Sequence, residues 1–183
     1  MANFIVVDGA GTTKYVAGTG AGTNVDPFIP QHQRVSWGNV VPLVLTVSNG
    51  VYSINDVVGG LLTFPNAVRV AGGKSQVVSC VLNGVAALAY NLFFLNADLA
   101  TPVIDNGIFT NVVADMPKML GNLSIAAADY KPAAAGFNMA AVKNVRLMVQ
   151  ATVTTIYAYL VAVAVTSPGT TRLDLSVGFE YMD

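Results

Sequence analysis

From Leu147 to Thr171 the chain reads LMVQATVTTIYAYLVAVAVTSPGTT, 25 residues between Arg146 and Arg172 without a charged side chain. A run of this kind must be kept from water along most of its course, so the fold has to supply the cover. About 20 apolar residues cross a bilayer as a helix, but the composition here argues against one. Gln150, Thr152, Thr154 and Thr155 interrupt the start, and Pro168-Gly169 closes the end. Val, Ile, Thr and Tyr dominate, and these β-branched and aromatic residues favour strands. From Tyr157 the period is two, with Tyr157, Tyr159, Val161, Val163 and Val165 on one face and Ala158, Leu160, Ala162 and Ala164 on the other. The run is therefore expected to be a hairpin of two strands, Val145–Gln150 and Thr155–Thr166, turning near Ala151-Thr152 and packed on both faces.

Composition extends the argument to the whole chain. It is 54% hydrophobic and 10% charged, against roughly 25% charged for a typical soluble domain. A monomer of 183 residues cannot hide that much apolar surface, so the surplus is expected to lie against other protein. The net charge is −1 and Lys and Arg are scattered singly. That leaves no basic patch for direct nucleic-acid binding and no polybasic anchor for a membrane. The start, MANFIVVDGAGTTKYVAG, lacks the charged n-region and apolar core of a secretory signal. Cys80 is the single cysteine, and on a strand such as QVVSCVLNG it reads as a small buried hydrophobe.

Two segments are expected. Met1–Arg34 is rich in Gly, Thr and Asn and is read as an extended N-terminal arm with a small hairpin: strand Phe4–Val7, turn at Asp8-Gly9, strand Lys14–Ala17. A flexible GTGAGTN connector follows, then DPFIPQHQRV, which Pro27 and Pro30 hold extended. Val35–Asp183 is the body. Asn49-Gly50 signals a hairpin, and four further runs read as strands: GGLLTFPNAVRVAGG (a short strand bounded by glycines), SQVVSCVLNG, AYNLFFLNAD and KMLGNLSIAA. The connection Ala97–Pro117 is long. In DMPKMLG, Asp115 is expected to cap one helical turn, and ADYKPAAAGFNM reads as loop. In RLDLSVGFEYMD, Leu173, Leu175, Val177, Phe179 and Tyr181 alternate with Asp174, Ser176, Gly178 and Glu180, as in a half-buried strand. About eight such strands without a long helix point to an all-β fold, an antiparallel β-sandwich of jelly-roll type.

Chemistry finds little to work with. His32 is the single histidine and has no nucleophile or acid placed beside it, so it is read as exposed or at an interface. One His and one Cys cannot fill a usual zinc ligand set. No carboxylates pair as D-x-D or E-x-x-E. Gly18, Gly20 and Gly22 fail the G-x-G-x-x-G pattern at Thr23, and GAGTTK lacks the G-K-[ST] of a phosphate-binding loop. Asn122-Leu123-Ser124 is a glycosylation sequon by letters alone. The chain is not expected to be an enzyme, and neither a cofactor nor a metal is expected.

Several stretches do resemble a known family. YSINDVVGGLLTFPNAVRVAGG (Tyr52–Gly73) is similar to a segment of tailed-bacteriophage virion proteins that carries Y-x-x-x-D-V-V-G-G, then L-x-x-x-N-A and a Gly pair. YNLFFLNAD, IDNGIF, KMLGNLSIAAADY and LDLSVGFEYMD follow in the same order. DGAGTTKYVAGTGAGTNVDPFIPQH resembles phage N-terminal segments of the pattern K-Y…G-x-G…D-P-F-I-P-x-H, a pattern also found on fibre and neck proteins. The resemblance implies a capsid decoration (cement) or minor structural protein with a jelly-roll-like body, commonly a homotrimer. It would be made in the host cytoplasm and carried on the virion surface, seated on the major capsid protein and bridging capsomers.

Residues can be assigned to these expected contacts. Asp26, Pro27, Phe28, Ile29 and Pro30 in the arm, with His32 and the junction residue Trp37, are the candidates for meeting capsid or a neighbouring subunit. Tyr157, Ala158, Tyr159, Ala162, Val163 and Ala164 are the candidates for the seam between subunits, because small residues let sheets approach closely. The alternative is a fibre or head-spike module that recognises host glycan, which requires an exposed group of Asp, Asn and aromatic side chains, with Ala97–Asn111 the place to look.

Overall fold

A computed structural model describes residues 38–110, 112–134 and 136–182, and the backbone of three short strands nearer the N-terminus. The chain divides into two compact units, Met1–Ser36 and Trp37–Asp183. In the first unit β1 (Asn3–Val7), β2 (Thr13–Thr19) and β3 (Ile29–Pro30) form one sheet in that order. β1 and β2 are antiparallel, with Asn3 opposite Ala17 and Val7 opposite Thr13. These are the two strands expected from FIVV and KYVA; the turn at Asp8-Gly9 lies outside the described residues.

The second unit is a two-sheet sandwich. Its strands are β4 (Gly38–Thr46), β5 (Val57–Phe64), β6 (Lys74–Gly84), β7 (Tyr90–Leu95), β8 (Met119–Ile125), β9 (Tyr130–Ala134), β10 (Phe137–Gln150), β11 (Ile156–Ala162) and β12 (Arg172–Tyr181). One sheet has five strands in the order β4-β12-β6-β10-β9, the other four in the order β5-β11-β7-β8. The pairing is nested: β4 with β12, β5 with β11, β6 with β10, β7 with β8, all antiparallel. This is one long antiparallel ribbon folded at β7/β8 and rolled so that successive pairs fall in opposite sheets. That is the jelly roll the strand pattern predicts, with β9 added beside β10.

The nesting corrects the expected hairpins. β10 and β11 do not pair: β10 lies between β6 and β9, and β11 lies between β5 and β7. The charge-free run is a crossover between sheets, so Val149 and Ile156 reach the same core from opposite sides. A hairpin would have placed both strands in one sheet and left the other short of a wall. Asn49-Gly50 is likewise a bend and not a hairpin turn. The chain leaves β4, makes a single bridge from Tyr52 to Thr166, and enters the other sheet. ADYKPAAAGFNM, read as loop, holds β9 and the start of β10; Phe137 pairs with Ala134 and Met139 with Lys131. Asp115 does not cap a helix. A 3-10 turn spans Val113–Lys118, Val112 stands at its N-terminal boundary without a side-chain cap, and Asp115 is inside.

Between the sheets lies one continuous core. Phe64 packs against Phe94 and Phe179 with ring centroids 6.2 and 5.7 Å apart. Leu160, Leu92 and Leu82 are fully buried around them. On β12, Leu173, Leu175, Val177 and Phe179 point into this core as expected; Tyr181, expected on the same face, is half-buried outside it and donates its hydroxyl to the Asn66 carbonyl at 2.8 Å. Cys80 is buried there too, and burial pushes its thiol pKa up to about 12, so it packs as a hydrophobe. A bulge interrupts the β5–β11 ladder between Tyr159 and Leu160. Gly59 and Gly60 form it at φ 82° and 72°, a region glycine enters without the cost a Cβ brings. A Cβ on Gly59 would stand 3.0 Å from that of Leu45.

Leu160→Ala is expected to cost about 2–5 kcal/mol through the cavity it leaves. Val40→Ala, on an outward face, should change stability by no more than about 0.5 kcal/mol. Urea unfolding of the two variants beside the parent chain checks both values.

Candidate interaction surface

The strand at the centre of the charge-free run has apolar side chains on both faces. Ile156, Ala158, Leu160 and Ala162 enter the core between the sheets. Tyr157, Tyr159 and Val161 point to the outer side of the four-stranded sheet, where water would otherwise stand. The long connection between β7 and β8, residues 96–118, lies across that side as a strap. Beneath it Val57, Leu95, Leu99, Tyr159 and Val161 make a second, smaller core, flanked by Phe93, Val103, Phe109 and Met119. Phe109 stacks on Phe93 at a centroid distance of 5.0 Å and tilts against Tyr159 at 5.6 Å.

A strap of this length has no ladder of its own, so its backbone and acids need other partners. Three aspartates supply them. Asp105 is a hub: one oxygen accepts from the Tyr52 hydroxyl at 2.7 Å and the Gly59 amide at 2.6 Å, the other from the Ser48 amide at 2.8 Å. The Tyr52 hydroxyl in turn accepts from the Ser48 amide at 2.7 Å. Asp98 accepts from the Tyr159 hydroxyl at 2.7 Å. Asp115, 1% exposed, accepts from the Ala100 amide at 2.8 Å and from Lys118 Nζ at 2.9 Å. Lys118 also donates to the Asp98 carbonyl at 2.7 Å. The Ala100 amide, and then Lys118, hold the Asp115 carboxyl below its usual range. Burial first, and then the bond to a carboxylate, raises the Tyr52 and Tyr159 hydroxyls, so both remain donors at every ordinary pH.

The strap also closes the free edge of β5. Val57 N–H donates to the Gly107 carbonyl at 2.8 Å, and the Val57 carbonyl accepts from Asn106 N–H at 2.8 Å. With the Gly59 amide on Asp105, the donors at the start of that edge are taken within the chain, which shortens the stretch open to strand addition.

The outward side of the strap is the reverse of an ordinary loop. Its charged side chains, Asp98, Asp105, Asp115 and Lys118, are engaged inward, while Ile104 is 78% exposed, Ile108 64%, Val113 83% and Met116 64%. The Asp56–Ile108 bridge connects this surface to the neighbouring bend, where Val51 and Ile54 are exposed. Isolated surface hydrophobes are ordinary; here several exposed aliphatic side chains lie along one connection whose own charged side chains are engaged within the chain.

The residues singled out from the sequence fall elsewhere. Asp26, Pro27, Phe28, His32 and Trp37 lie outside the described residues. Ile29 and Pro30 form β3, opposite Thr19 and Gly18 of β2. Ala158, Tyr159 and Ala162 are enclosed by the chain's own two cores and offer a second subunit no surface, so the expected seam is corrected there. Tyr157 is half-buried under the strap, leaving Val163 and Ala164 of that group exposed beyond the end of β11. The strap itself was the place expected for a glycan site. Its Asp98 and Asp105 are instead engaged within the chain, and Phe109 lies against Phe93. The signal available beforehand was the spacing of single acids in an otherwise apolar connection, which reads as solvation until each acid has a named donor. Among the described residues no group of three His, Cys, Asp or Glu side chains gathers to hold a metal ion, and no helix is long and apolar enough to cross a membrane.

The class this geometry defines is an all-β jelly roll with a pinned strap and an uncharged outer surface. Neither a family model nor a curated protein matches the chain. Among solved structures it is similar to a chain of Triatoma virus, at 8% identity over 81% of this chain and 64% of that one, with a TM-score of 0.24. It is also similar to the infectious bursal disease virus VP2 subviral particle, at 12% identity over 92% of this chain and 48% of that one, with a TM-score of 0.17. The chain thus spans less than two-thirds of either, and TM-scores of this size do not define a shared fold.

Asp105→Asn puts a donor where an acceptor served an amide or hydroxyl, and is expected to cost about 2–3 kcal/mol. Amide exchange should quicken at Ser48, Gly59 and residues 104–107 more than in β6 or β12. Asp115 gives a pH dependence. Its folded carboxyl releases its proton more readily than the unfolded one, so its stabilisation is complete above the ordinary carboxylate range, about 4. It is lost as pH falls through the lowered folded value. Asp115→Asn should flatten the acid limb of a plot of unfolding midpoint against pH.

Proposed function

We propose that the chain is a structural virion protein of a tailed phage, which decorates the capsid, binds the major capsid protein and stabilises the shell by bridging capsomers. The observation that carries this reading is the inverted strap: a connection that engages its charged side chains within the chain and presents Ile104, Ile108, Val113 and Met116 outward is suited to protein contact. Three further features support it. The sequence resembles phage virion segments over most of its length. A separate compact β unit precedes the jelly roll, as an arm that adds strands to a neighbour requires. The chain carries few charges for its size, and many copies on a lattice turn weak apolar contacts into firm attachment.

A glycan-recognising fibre or head-spike module is the competing reading. It draws no support from the strap, whose acids already have donors within the chain.

The test uses particles of the source phage stripped of this protein. Full-length chain added back should bind them and raise their thermal disruption temperature, and images of the decorated particle should place it on the shell facets. Removal of Met1–Arg34 should weaken that binding about tenfold or more. Unchanged affinity would remove the N-terminal unit from the contact. Density confined to tail fibres, together with binding on a glycan array, would replace this reading with the competing one.

A further inference from the structure

Three Asn-Gly pairs occur in the chain: Asn49-Gly50, Asn83-Gly84 and Asn106-Gly107. Such a pair can react with itself. Glycine has no Cβ to shield its nitrogen, so that nitrogen reaches the asparagine side-chain carbonyl carbon wherever the peptide between them is free to turn. The fold treats the three pairs differently. Asn83 and Gly84 close β6, with Asn83 opposite Met139 on one side and Asp174 on the other. Gly84 is buried opposite Asn138. Turning that peptide means parting β6 from its neighbours. Asn106 stands at φ 61° with the peptides on both sides tied. Its N–H donates to the Val57 carbonyl at 2.8 Å, the Gly107 carbonyl accepts from Val57 N–H at 2.8 Å, and Gly107 N–H donates to the Ile104 carbonyl at 3.1 Å. Asn49 and Gly50 are both exposed, in the bend between β4 and the Tyr52 bridge and outside every ladder. Gly50 N–H donates to Ser48 Oγ at 3.1 Å, a hydroxyl that turns with its own side chain. Among the described residues the Asn49 side chain has no hydrogen-bond partner.

We propose that Asn49-Gly50 is a site of spontaneous main-chain modification, where asparagine passes through a succinimide to aspartate and isoaspartate and so loosens the strap. The Gly50 nitrogen attacks Asn49 Cγ. A C–N bond forms, the Cγ–Nδ2 bond breaks, and the departing amine takes up the Gly50 amide proton and leaves as ammonia. Water then adds to one of the two ring carbonyls. Opening at one gives aspartate; opening at the other gives isoaspartate, in which the main chain runs through the former side chain. The net change is one water taken up and one ammonia lost, with no oxidant or reductant. Position gives the reaction its consequence. The Ser48 amide, one residue before, is shared by the Tyr52 hydroxyl at 2.7 Å and Asp105 at 2.8 Å. Tyr52 is fixed in turn by its bridge to Thr166. Isoaspartate lengthens the main chain by one methylene between these fixed points. Either product also adds a carboxylate next to the donor that Asp105 uses, and like charges repel. The tie between the bend and the strap is therefore the one that weakens.

The test keeps the full chain folded at mildly alkaline pH and body temperature, in water labelled with heavy oxygen, and maps the peptides by mass. Label should enter at Asn49 at least about tenfold faster than at Asn83 or Asn106, whose peptides turn only when local structure opens. Converted chains carry one more negative charge and separate by ion exchange. Their amides at Ser48 and residues 104–107 should exchange about tenfold faster than in unconverted chains, with β6 and β12 unchanged. Asn49→Gln, whose ring would need six members, should stay unlabelled at that position and keep the slow exchange through the same incubation. Labelling at Asn83 or Asn106 that matches Asn49, an Asn49 that stays unlabelled, or converted chains whose strap exchanges at the parent rate would each overturn the proposal. No particle binding enters these readouts, so their failure would leave the virion reading untouched.

Discussion

A strand that is apolar on both faces has to be covered twice, and β11 is such a strand. The sandwich supplies one cover, since any two-sheet fold buries the face that looks inward. The outward face, with Tyr157, Tyr159 and Val161, has no third sheet to meet. The strap 96–118 is the fold's solution, and much else follows from it. It makes the second core, seals the edge of β5, and draws its acids toward the protein. The length of the β7–β8 connection, which is large for a link between two paired strands, is what this coverage requires.

The strap is held by polar ties of uneven kind. Asp105 joins three separate parts of the chain: the bend after β4, the bulge in β5 and the strap itself. Its bonds are charge-assisted and partly shielded, the setting in which a carboxylate hub holds loops most firmly. Asp115 and Lys118 pair within the 3-10 turn that returns the chain to β8, and tie that turn back to Ala100 and Asp98 at the start of the strap. Tyr52 and Tyr159 work at the seams, each with its ring in a core and its hydroxyl on an aspartate. The cores thus order the polar network, and the network in turn keeps the apolar cover in place.

These relations were unevenly visible in the sequence. Alternation in β12 and β11 told which residues share a face, because a period of two is a property of the single strand. It could not tell which strands pair, because pairing in a rolled ribbon depends on partners far along the chain. Hence β10 and β11 read as a hairpin, although the jelly roll needs them in opposite sheets. Asn49-Gly50 misled for the same reason: a turn dipeptide reports local backbone preference, and the bridge from Tyr52 to Thr166 settles where the chain goes next. Cys80 was legible from its strand alone. The strap was not, because Asp98, Asp105 and Asp115 have the letters of a solvated loop and acquire another meaning only when Tyr52, Tyr159 and Lys118 are brought to them.

Fixing the strap and making its outside apolar are two consequences of one economy. With few charged residues in the chain, those on the strap cannot both hold it down and keep its outer surface wet. Engaging Asp98, Asp105, Asp115 and Lys118 inward leaves Ile104, Ile108, Val113 and Met116 to face outward. A mobile loop with the same exposed side chains would lose much of its contact energy in being ordered. A pinned one has met that cost during folding, so a contact of the proposed kind would have little left to order. Rigidity inside and an apolar outside therefore come from the same four side chains, so a contact made through the strap, as proposed, would weaken when the ties are loosened.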